Sequence, residues 1–258
     1  MTNTITPLAV FDDNYIWCIA NTQQKKVAVV DPGDGLAVLD WLEASNYQLS
    51  AVMVTHHHYD HTGGIATLLE RYPDIAVFGG SNSPCELINR PLIEGDTINV
   101  LEQTFSILHL PGHTLDHIAY YDANEQQLFC GDTLFLAGCG RVFEGTMEQM
   151  HLSLNKLMAL PENTFAYPTH EYSLANLAFA SAVEPENSDI KAAINKAQYQ
   201  RQRGLITLPT QLTQEALINP FVRCHMPDVI MAAQQRVETK LHTQEQIFST
   251  LREWKNNF

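Results

Sequence analysis

The sequence is poor in basic residues, and this scarcity limits the partners that it can bind. It contains 15 lysines and arginines against 29 aspartates and glutamates, which gives a formal net charge of -14 at pH 7. Because a strongly acidic protein repels polyanions at long range, we expect neither a nucleic acid nor an anionic membrane surface as a partner. A small anionic substrate would need a local group of basic side chains.

Paired cysteines and long apolar runs are missing as well. The five cysteines are scattered and form no CxxC pair, which argues against a disulfide framework and against a thiolate zinc site. No run reaches the roughly 18 apolar residues of a membrane-spanning helix, and the N-terminal stretch lacks the basic and apolar segments of a secretory signal. These absences predict a cytoplasmic protein with reduced thiols. No heptad pattern indicates an assembly segment, so we expect a monomer.

The chain of 258 residues changes character near residue 173. Before that point, short apolar runs alternate with turn clusters and helical patterns, which is typical of an α/β domain. The predicted strands span residues 27–30, 51–54, 76–78, 105–110, 117–121, 127–130 and 164–167. After that point helical periodicity dominates, with Ser188 expected to cap one helix and Thr243 with Gln246 to form a capping box. We predict an α/β domain over residues 1–172 and a small all-helical domain over residues 173–258.

Four histidines and one aspartate stand within the six residues HHHYDH that follow the predicted strand 51–54. If this segment is extended, its side chains alternate, so His56, His58 and Asp60 share one face and His57 lies on the other. His61 lies where the chain turns through two glycines and can approach from another direction. Five consecutive ligands to one metal are sterically impossible, whereas two groups facing two metals are not.

Three further donors follow predicted strands: His113 in LPGHT, Asp132 in FCGDT and His170 in YPTH. Functional loops gather at strand ends in open α/β sheets, and these nitrogen and oxygen donors suit zinc, iron or manganese. A surface loop with unrelated histidines near turns is the alternative, but the whole set favours a metal centre. The remaining histidines are interpreted as ordinary structural residues: His57, His109, His117, His151, His225 and His242.

The motifs THHHYDH, PGHT and GDT and the later histidine resemble the metallo-β-lactamase superfamily over residues 10–172. The resemblance implies an αββα sandwich with two divalent metal ions at one edge, zinc in the first place, with iron or manganese as alternatives. The implied ligands form two groups that share one aspartate: His56, His58 and His113 for one metal, Asp60, His61 and His170 for the other, and Asp132 as the bridge.

The segments FDDNYIW, VDPGDG, GCGRVFEGT and HEYSLAN and the tail LREWKNNF narrow this resemblance. They are similar to the bacterial glyoxalase II family, hydroxyacylglutathione hydrolases that cleave S-lactoylglutathione to lactate and glutathione in the second step of methylglyoxal detoxification. The resemblance implies a catalytic domain over residues 1–172 and a substrate-binding domain over residues 173–258. The implied glutathione contacts are Arg141, Phe143, Tyr172, Arg252 and Lys255. For the last two, a plain interaction with the helix dipole is the alternative, and for Tyr172 a place in the core.

Thioester hydrolysis would need no protein nucleophile at such a centre. Two divalent cations that share a water lower its pKa toward about 7 and supply a metal-bridging hydroxide to attack the carbonyl carbon. The leaving thiolate has a conjugate acid with a pKa of about 8.5 and can depart without prior protonation. We therefore expect no catalytic residue beyond the metal ligands.

Four further positions bear on the site, and two of them, Asp116 and Asp31, leave alternatives open. Phe143 stands where animal members of the family carry a tyrosine, so a hydroxyl contact to the substrate is expected to be lost there. Asp116 replaces a usual glycine and either orients a ligand histidine or faces solvent. Tyr59 replaces a common histidine on the face away from the ligands. Asp31 is interpreted as a structural turn residue, with support of the metal loop as its alternative role.

Other functions of the same superfamily fit the sequence less well. A glutathione-persulfide dioxygenase would use one iron and typically lacks the helical tail. A ribonuclease would need a basic surface, which the net charge argues against. A β-lactam hydrolase is disfavoured by the cytoplasmic start and the tail. A non-catalytic binding module would have lost ligands, whereas all seven are present.

Overall fold

The first sheet of the computed structural model, which describes residues 3–258, has six strands in sequential order. Its strands are β1 (Thr4–Val10), β2 (Asn14–Asn21), β3 (Lys26–Val30), β4 (Gln48–Met53), β5 (Ala76–Gly80) and β6 (Arg90–Leu92). The first three pair antiparallel, and β3 to β6 are parallel. Three helices lie between these strands: α1 (Gly35–Ser45), α2 (Tyr59–Thr62) and α3 (Ile65–Arg71).

The second sheet also has six strands, and part of it comes from the C-terminal region. Its strands are β7 (Thr97–Val100), β8 (Gln103–His109), β9 (Ile118–Asp122), β10 (Gln127–Gly131), β13 (Phe165–Pro168) and β14 (Thr210–Gln211), in the order β14-β13-β10-β9-β8-β7. Between β10 and β13 a small hairpin forms from β11 (Leu134–Phe135) and β12 (Gly138–Cys139). The two-residue strand β14 joins the otherwise helical C-terminal region to this sheet.

Six helices follow in the second half of the chain. They are α4 (Met147–Met158), α5 (Ser173–Val183), α6 (Ser188–Arg201), α7 (Leu212–Ile218), α8 (Pro227–Gln234) and α9 (Gln244–Asn256). Within the described residues 3–258, no helix is both long and apolar enough to cross a membrane.

The core has the four layers of an αββα sandwich. Side chains from both sheets meet in one apolar cluster that includes Trp17, Met53, Phe105 and Phe129. Helices α1 and α3 cover the outer face of the first sheet, and α4, α5, α8 and α9 pack beside the second. Burial of these apolar faces is the main force that holds the layers together. The predicted fold class, this sandwich with a C-terminal helical region, is confirmed.

Two local predictions were wrong in detail. The segment after His58 is not extended, because residues 59–62 form α2. Gly33 and Gly64 explain this turn, since a Cβ on Gly33 would lie 2.0 Å from the Asp60 carbonyl oxygen, and one on Gly64 would lie 2.2 Å from the Gly35 nitrogen. The chain therefore folds back tightly onto the 31–35 loop.

The second correction concerns a helix cap. The cap of α6 is Asn187, not Ser188, because the Asn187 side chain accepts hydrogen bonds from the backbone N–H groups of Asp189 and Ile190. The capping box of Thr243 and Gln246 at the start of α9 is present as predicted. Seven of the strands described above were not predicted: β1, β2, β6, β7, β11, β12 and β14.

Candidate metal centre

The seven candidate ligands lie at one edge of the sandwich, on loops or strand ends that follow β4, β8, β10 and β13. The loop and short helix after β4 carry four of them, and His113, Asp132 and His170 each follow one of the other strands. In the second sheet β8, β10 and β13 run in the same direction, so their carboxyl ends lie at one edge, and the contacts between their loops and the loop after β4 show that the carboxyl end of β4 in the first sheet lies at the same edge. The structure thus brings together residues that are up to 114 positions apart, from His56 to His170.

The first group consists of three histidines. His58 Nδ1 lies 3.1 Å from His56 Nε2 and 3.0 Å from His113 Nε2. His56 and His113 are buried and His58 is half-buried. One nitrogen of each lies within 4.8 Å of the others, which is close enough for all three to bind one metal ion.

The second group adds carboxylates to histidines. Asp60 Oδ2 lies 3.4 Å from His61 Nε2 and 3.3 Å from His170 Nε2. Asp132 contacts both groups, because its Oδ2 lies 3.5 Å from His113 Nε2 and 3.4 Å from His170 Nε2, while its Oδ1 lies 3.5 Å from His61 Nε2. This arrangement suits an aspartate shared by two metal ions.

Two buried polar atoms in this cluster support metal binding. His61 Nε2 and Asp132 Oδ1 make no hydrogen bond to any of the described residues, although buried polar groups almost always have a partner. The two atoms lie 3.5 Å apart, and together with a nitrogen of His56 they offer donors within 4.8 Å of one another, where a cation would satisfy them. A set of imidazole and carboxylate donors without thiolate fits zinc, iron or manganese equally well.

The two groups have opposite electrostatic character. Burial and the neighbouring histidines lower the pKa of His56, and burial also lowers the pKa of His58 and of His113. These three imidazoles are thus held in the neutral form that binds metal. In the second group, burial would lower the pKa of His61, but the carboxylates of Asp132 and Asp31 outweigh it and raise that pKa to about 10.

The acidic ligands of the second group are held ionised. Burial would raise the pKa of Asp60 and of Asp132, but their histidine neighbours outweigh burial and hold both pKa values well below the usual range. The same contacts raise the pKa of His170. Positive charge is therefore already attracted to this group, and a metal ion would replace protons there.

Buried polar partners orient several of these ligands. Asp31 accepts hydrogen bonds from the Thr55 backbone N–H at 2.7 Å and from its hydroxyl at 2.8 Å, and it lies 3.1 Å from His61 Nδ1. The structure thus gives Asp31 both of the roles considered for it. Carboxylates that contact the second nitrogen of a ligand histidine fix the ring orientation.

Two residues of the segment FDDNYIW contact candidate metal ligands, and neither was predicted to do so. Asp13 Oδ1 lies 2.7 Å from His170 Nδ1, and Asn14 Nδ2 donates to Asp60 Oδ2 at 3.0 Å. No spacing rule connects these residues to their partners, because the contacts span 157 and 46 positions. The only signal was a polar turn directly before an apolar strand.

Histidines 117 and 57 lie beside the cluster without joining either group. His117 is fully buried, its ring stacks at 4.9 Å on His56, and its Nε2 accepts from the Asp132 backbone N–H at 3.1 Å. Burial lowers the pKa of His117 to about 3, which keeps this acceptor nitrogen free of a proton. His57 faces the other way, toward Asp116. The solvent-facing alternative for Asp116 was wrong, because this residue is 2% exposed.

A cleft of about 420 Å³ opens over the donors and contains all five candidate glutathione contacts. The Tyr172 ring stacks on His170 at 4.7 Å with an interplanar angle of 4°, and it is 37% exposed, so it is not a core residue. Phe143 is exposed and its ring lies 5.3 Å from that of His113. Arg141 lies beside Phe143, with its guanidinium 5.9 Å from that ring.

The two basic residues of α9 enter the same cleft from the opposite side. Arg252 is buried and donates from a terminal nitrogen to the Cys139 carbonyl oxygen at 2.9 Å. Lys255 donates to the Ala175 carbonyl oxygen at 3.1 Å. Backbone oxygens hold both side chains, and within residues 3–258 neither has a carboxylate partner, so their charge is available to an anion in the cleft.

Comparison with known proteins agrees with this geometry. Residues 11–170 match the family model described as Metallo-beta-lactamase superfamily, and residues 171–258 match the model described as Hydroxyacylglutathione hydrolase C-terminus. A protein named hydroxyacylglutathione hydrolase from Vibrio cholerae is 48% identical over 254 residues, which cover 98% of this chain and 99% of that protein. The chain belongs to the hydroxyacylglutathione hydrolase family.

Other relatives agree at the level of family and fold. A hydroxyacylglutathione hydrolase of Pseudomonas paraeruginosa is also 48% identical, over 98% of this chain and 99% of its own length. The crystal structure of ETHE1 from Myxococcus xanthus aligns with a TM-score of 0.66 over 97% of this chain and 91% of that chain, at 24% identity, and shows the fold alone. The family resemblance and the assignment to thiolester hydrolases are confirmed.

Proposed function

We propose that the protein hydrolyses S-(2-hydroxyacyl)glutathione, with S-lactoylglutathione as the representative substrate, to a 2-hydroxy acid and glutathione. The observation that carries this proposal is the position of Asp132 between two donor groups at the floor of a cleft with basic side chains on its rim. Residues 1–172 would form the catalytic domain, and residues 173–258 a helical domain that contributes to substrate binding.

The proposed cofactors are two divalent metal ions per chain, with zinc as the first candidate and iron or manganese as alternatives. The first would be held by His56, His58 and His113, the second by Asp60, His61 and His170, with Asp132 shared. When bound, such ions lower the pKa of water toward about 7 and stabilise negative charge on a carbonyl oxygen.

The residues of the chain then have limited and separate tasks. Cys139 lines the cleft, but burial raises its pKa, so the thiol stays protonated and is a poor nucleophile. The departing glutathione thiolate needs no acid, since its conjugate acid has a pKa of about 8.5. We therefore assign no protein nucleophile and no general acid. Asp13, Asp31 and Asn14 hold the ligands in place.

The basic side chains are proposed to bind the glutathione moiety, whose carboxylates need cations that the acidic protein otherwise lacks. Burial and the neighbouring Arg252 lower the pKa of Lys255, so an additional anion in the cleft would be favourable for both residues. Arg141, Phe143 and Tyr172 are proposed as the contacts on the other side. We further propose that the protein acts as a cytoplasmic monomer. We also propose that it has no nucleic-acid or membrane partner, which the net charge of -14 supports.

The test combines metal content with activity on one sample. Metals per chain are counted, and hydrolysis of S-lactoylglutathione is followed by the loss of its thioester absorbance, for the wild type, His58→Ala and the control His242→Ala, whose residue is exposed on the surface. We expect about two metals in the wild type and the control, and loss of hydrolysis in His58→Ala only. One tightly held iron, no thioester cleavage and oxygen uptake with glutathione persulfide would instead identify a dioxygenase.

A further inference from the structure

A second cluster of ionisable side chains lies directly behind the first metal group. His57, which stands between the candidate ligands His56 and His58, has Nδ1 2.8 Å from Asp116 Oδ1 and Nε2 3.3 Å from Glu144 Oε1. The His57 side chain is 22% exposed and that of Asp116 is 3% exposed. A buried carboxylate is costly unless it is paired, so the contact between His57 and Asp116 stabilises both side chains in place.

Asp116 is fixed by the loop that also carries a metal ligand. It lies three positions after His113, and a Cβ on Gly80 would lie 2.5 Å from the Asp116 carbonyl oxygen, so β5 packs tightly against this backbone. The Asn82 side chain donates to the adjacent Leu115 carbonyl oxygen at 3.0 Å. The backbone of Asp116 is therefore fixed in place, and its side chain holds the His57 ring.

Glu144 connects the same histidine to the loop that carries Arg141 and Phe143. Its Oε2 accepts from the Leu115 backbone N–H at 2.9 Å, while its Oε1 contacts His57. The Phe143 backbone N–H donates to the His113 carbonyl oxygen at 3.2 Å, and His113 Nδ1 lies 2.7 Å from the Arg141 carbonyl oxygen. Three loops thus meet at His57: the metal loop after β4, the His113 loop and the candidate substrate loop.

The arrangement fits a positioning contact better than a third metal site. The three side chains offer donors within 4.8 Å of one another. However, the two ring nitrogens of His57 face different carboxylates. A metal ion bound to one of these nitrogens would not be reached by the carboxylate that faces the other nitrogen. Carboxylates that hold a histidine in this way fix the ring and the backbone that carries it.

We propose that Asp116 is a positioning residue that acts through His57 to hold His56 and His58 in their ligand geometry. Because His56 and His58 flank His57 directly, an anchored His57 ring restricts the backbone between them. Through its contact with Glu144, the same histidine also fixes the position of the candidate substrate loop relative to the metal loop. This inference rests on the proposed function, because it deepens the assignment of the first metal group.

The experiment measures zinc affinity by competition with a chromophoric chelator in the wild type, Asp116→Ala, Asp116→Asn, His57→Ala and the double variant Asp116→Ala with His57→Ala. We expect Asp116→Ala and His57→Ala each to lower the affinity for one of the two zinc ions by about tenfold, which is the lower end of the range for residues that support a ligand. The zinc affinity of the double variant should be no lower than that of either single variant. Asp116→Asn should keep most of the affinity, since its amide oxygen still accepts from His57.

Two further measurements separate positioning from general stability. The Co²⁺ form of the wild type is expected to show a d–d spectrum that changes in Asp116→Ala and is restored in Asp116→Asn. Glu144→Ala should keep the metal affinity and raise KM by about threefold with kcat retained, as expected for one lost hydrogen bond. Glu148→Ala, which removes an exposed carboxylate of the same segment, is the matched control and should behave as the wild type.

Three results would overturn the proposal. They are unchanged zinc affinity in Asp116→Ala, additive losses in the double variant, and a third zinc in the wild type that Asp116→Ala removes. If Asp116→Ala does not fold, the partly exposed His57→Ala carries the test, and unchanged zinc affinity there overturns the proposal equally. A wild type that binds two metals without cleaving the thioester would contradict the proposed function but leave these affinities to decide the inference.

Discussion

The two sides of the cleft are built in different ways. On the metal side, polar side chains from four loops lie within about 3.5 Å of one another and are held by buried partners such as Asp31, which is 1% exposed. On the tail side, α9 packs Phe248 and Leu251 into an apolar cluster and presents Arg252 and Lys255 to the cleft. The first side depends on single polar contacts, and the second on the placement of a whole helix.

This difference has a consequence for kinetics. A lost polar contact on the metal side should reduce metal content and kcat, because it alters groups that face the reacting carbonyl. A lost charge on the tail side should raise KM, because the proposed glutathione contacts of that side would act on a remote part of the substrate and their loss would leave the metal donors in place. Substitutions on each side of the cleft test this division, and the largest effect is expected at Asp132.

Asp132→Ala is expected to have the largest effect, because the Asp132 carboxylate contacts histidines of both donor groups. Without the shared carboxylate, less negative charge would offset the repulsion between two bound cations, so at least one should be lost. We expect kcat to fall by more than about 1,000-fold, since the activation of water depends on the metals. Metal counting and initial rates check this. The exposed Asp74→Asn is the control, and two retained metals in Asp132→Ala would contradict the bridging role.

Arg252→Met tests the tail side and keeps most of the packing volume of the side chain. A hydrogen bond to a charged group contributes about 1.5–3 kcal/mol, so we expect KM for S-lactoylglutathione to rise by about 30-fold with kcat and metal content nearly unchanged. Steady-state kinetics measures both constants. The exposed Lys240→Ala should leave KM unaltered. A fall in kcat at constant KM would show that the division between the two sides is wrong.

Glu215 connects the β11–β12 hairpin, whose residues Phe135 and Cys139 line the cleft, to the C-terminal region. It is fully buried and accepts from the Ala137 backbone N–H at 2.8 Å, from the Thr210 hydroxyl at 2.6 Å and from Asn219 Nδ2 at 2.9 Å. Burial outweighs these donors and raises the pKa of Glu215 from 4.5 to about 7. Because the folded-state pKa is raised, the protonated form is favoured on folding. Its contribution to stability is present below about pH 4.5 and is lost as the pH rises through about 7.

Glu215→Gln removes this titration and gives a measurable difference. Between pH 5.5 and 7 the free energy of unfolding of the wild type, relative to the variant, should fall by up to about 1.4 kcal/mol per pH unit. Urea unfolding at saturating zinc measures both proteins under the same conditions, so other titrating groups cancel. A constant difference across this range would show that Glu215 stays ionised in the folded protein.

The candidate metal ligands could be predicted from the sequence, whereas the contacts that hold these ligands in place could not. The cluster from His56 to His61 is local, so its density identified the donors before their geometry was known. The contacts of Asp13 with His170 and of Asp116 with His57 span 157 and 59 positions and depend on how loops meet at the sheet edge. The short helix after His58 also escaped prediction, because it results from tight packing of Gly33 and Gly64.

Phe143→Tyr is expected to have the smallest effect and sharpens the comparison from the metal side. Phe143 is 60% exposed at the cleft rim, 5.3 Å from the His113 ring, so a hydroxyl added at its tip would enter the cleft without disturbing the donors. One new hydrogen bond to the substrate contributes about 0.5–1.5 kcal/mol, and KM should fall by about threefold with kcat unchanged. The same change at exposed Phe165, which lies outside the cleft, is the control. If kcat changed instead, Phe143 would act on the ligands His58 and His113 that it contacts, and would belong functionally to the metal side.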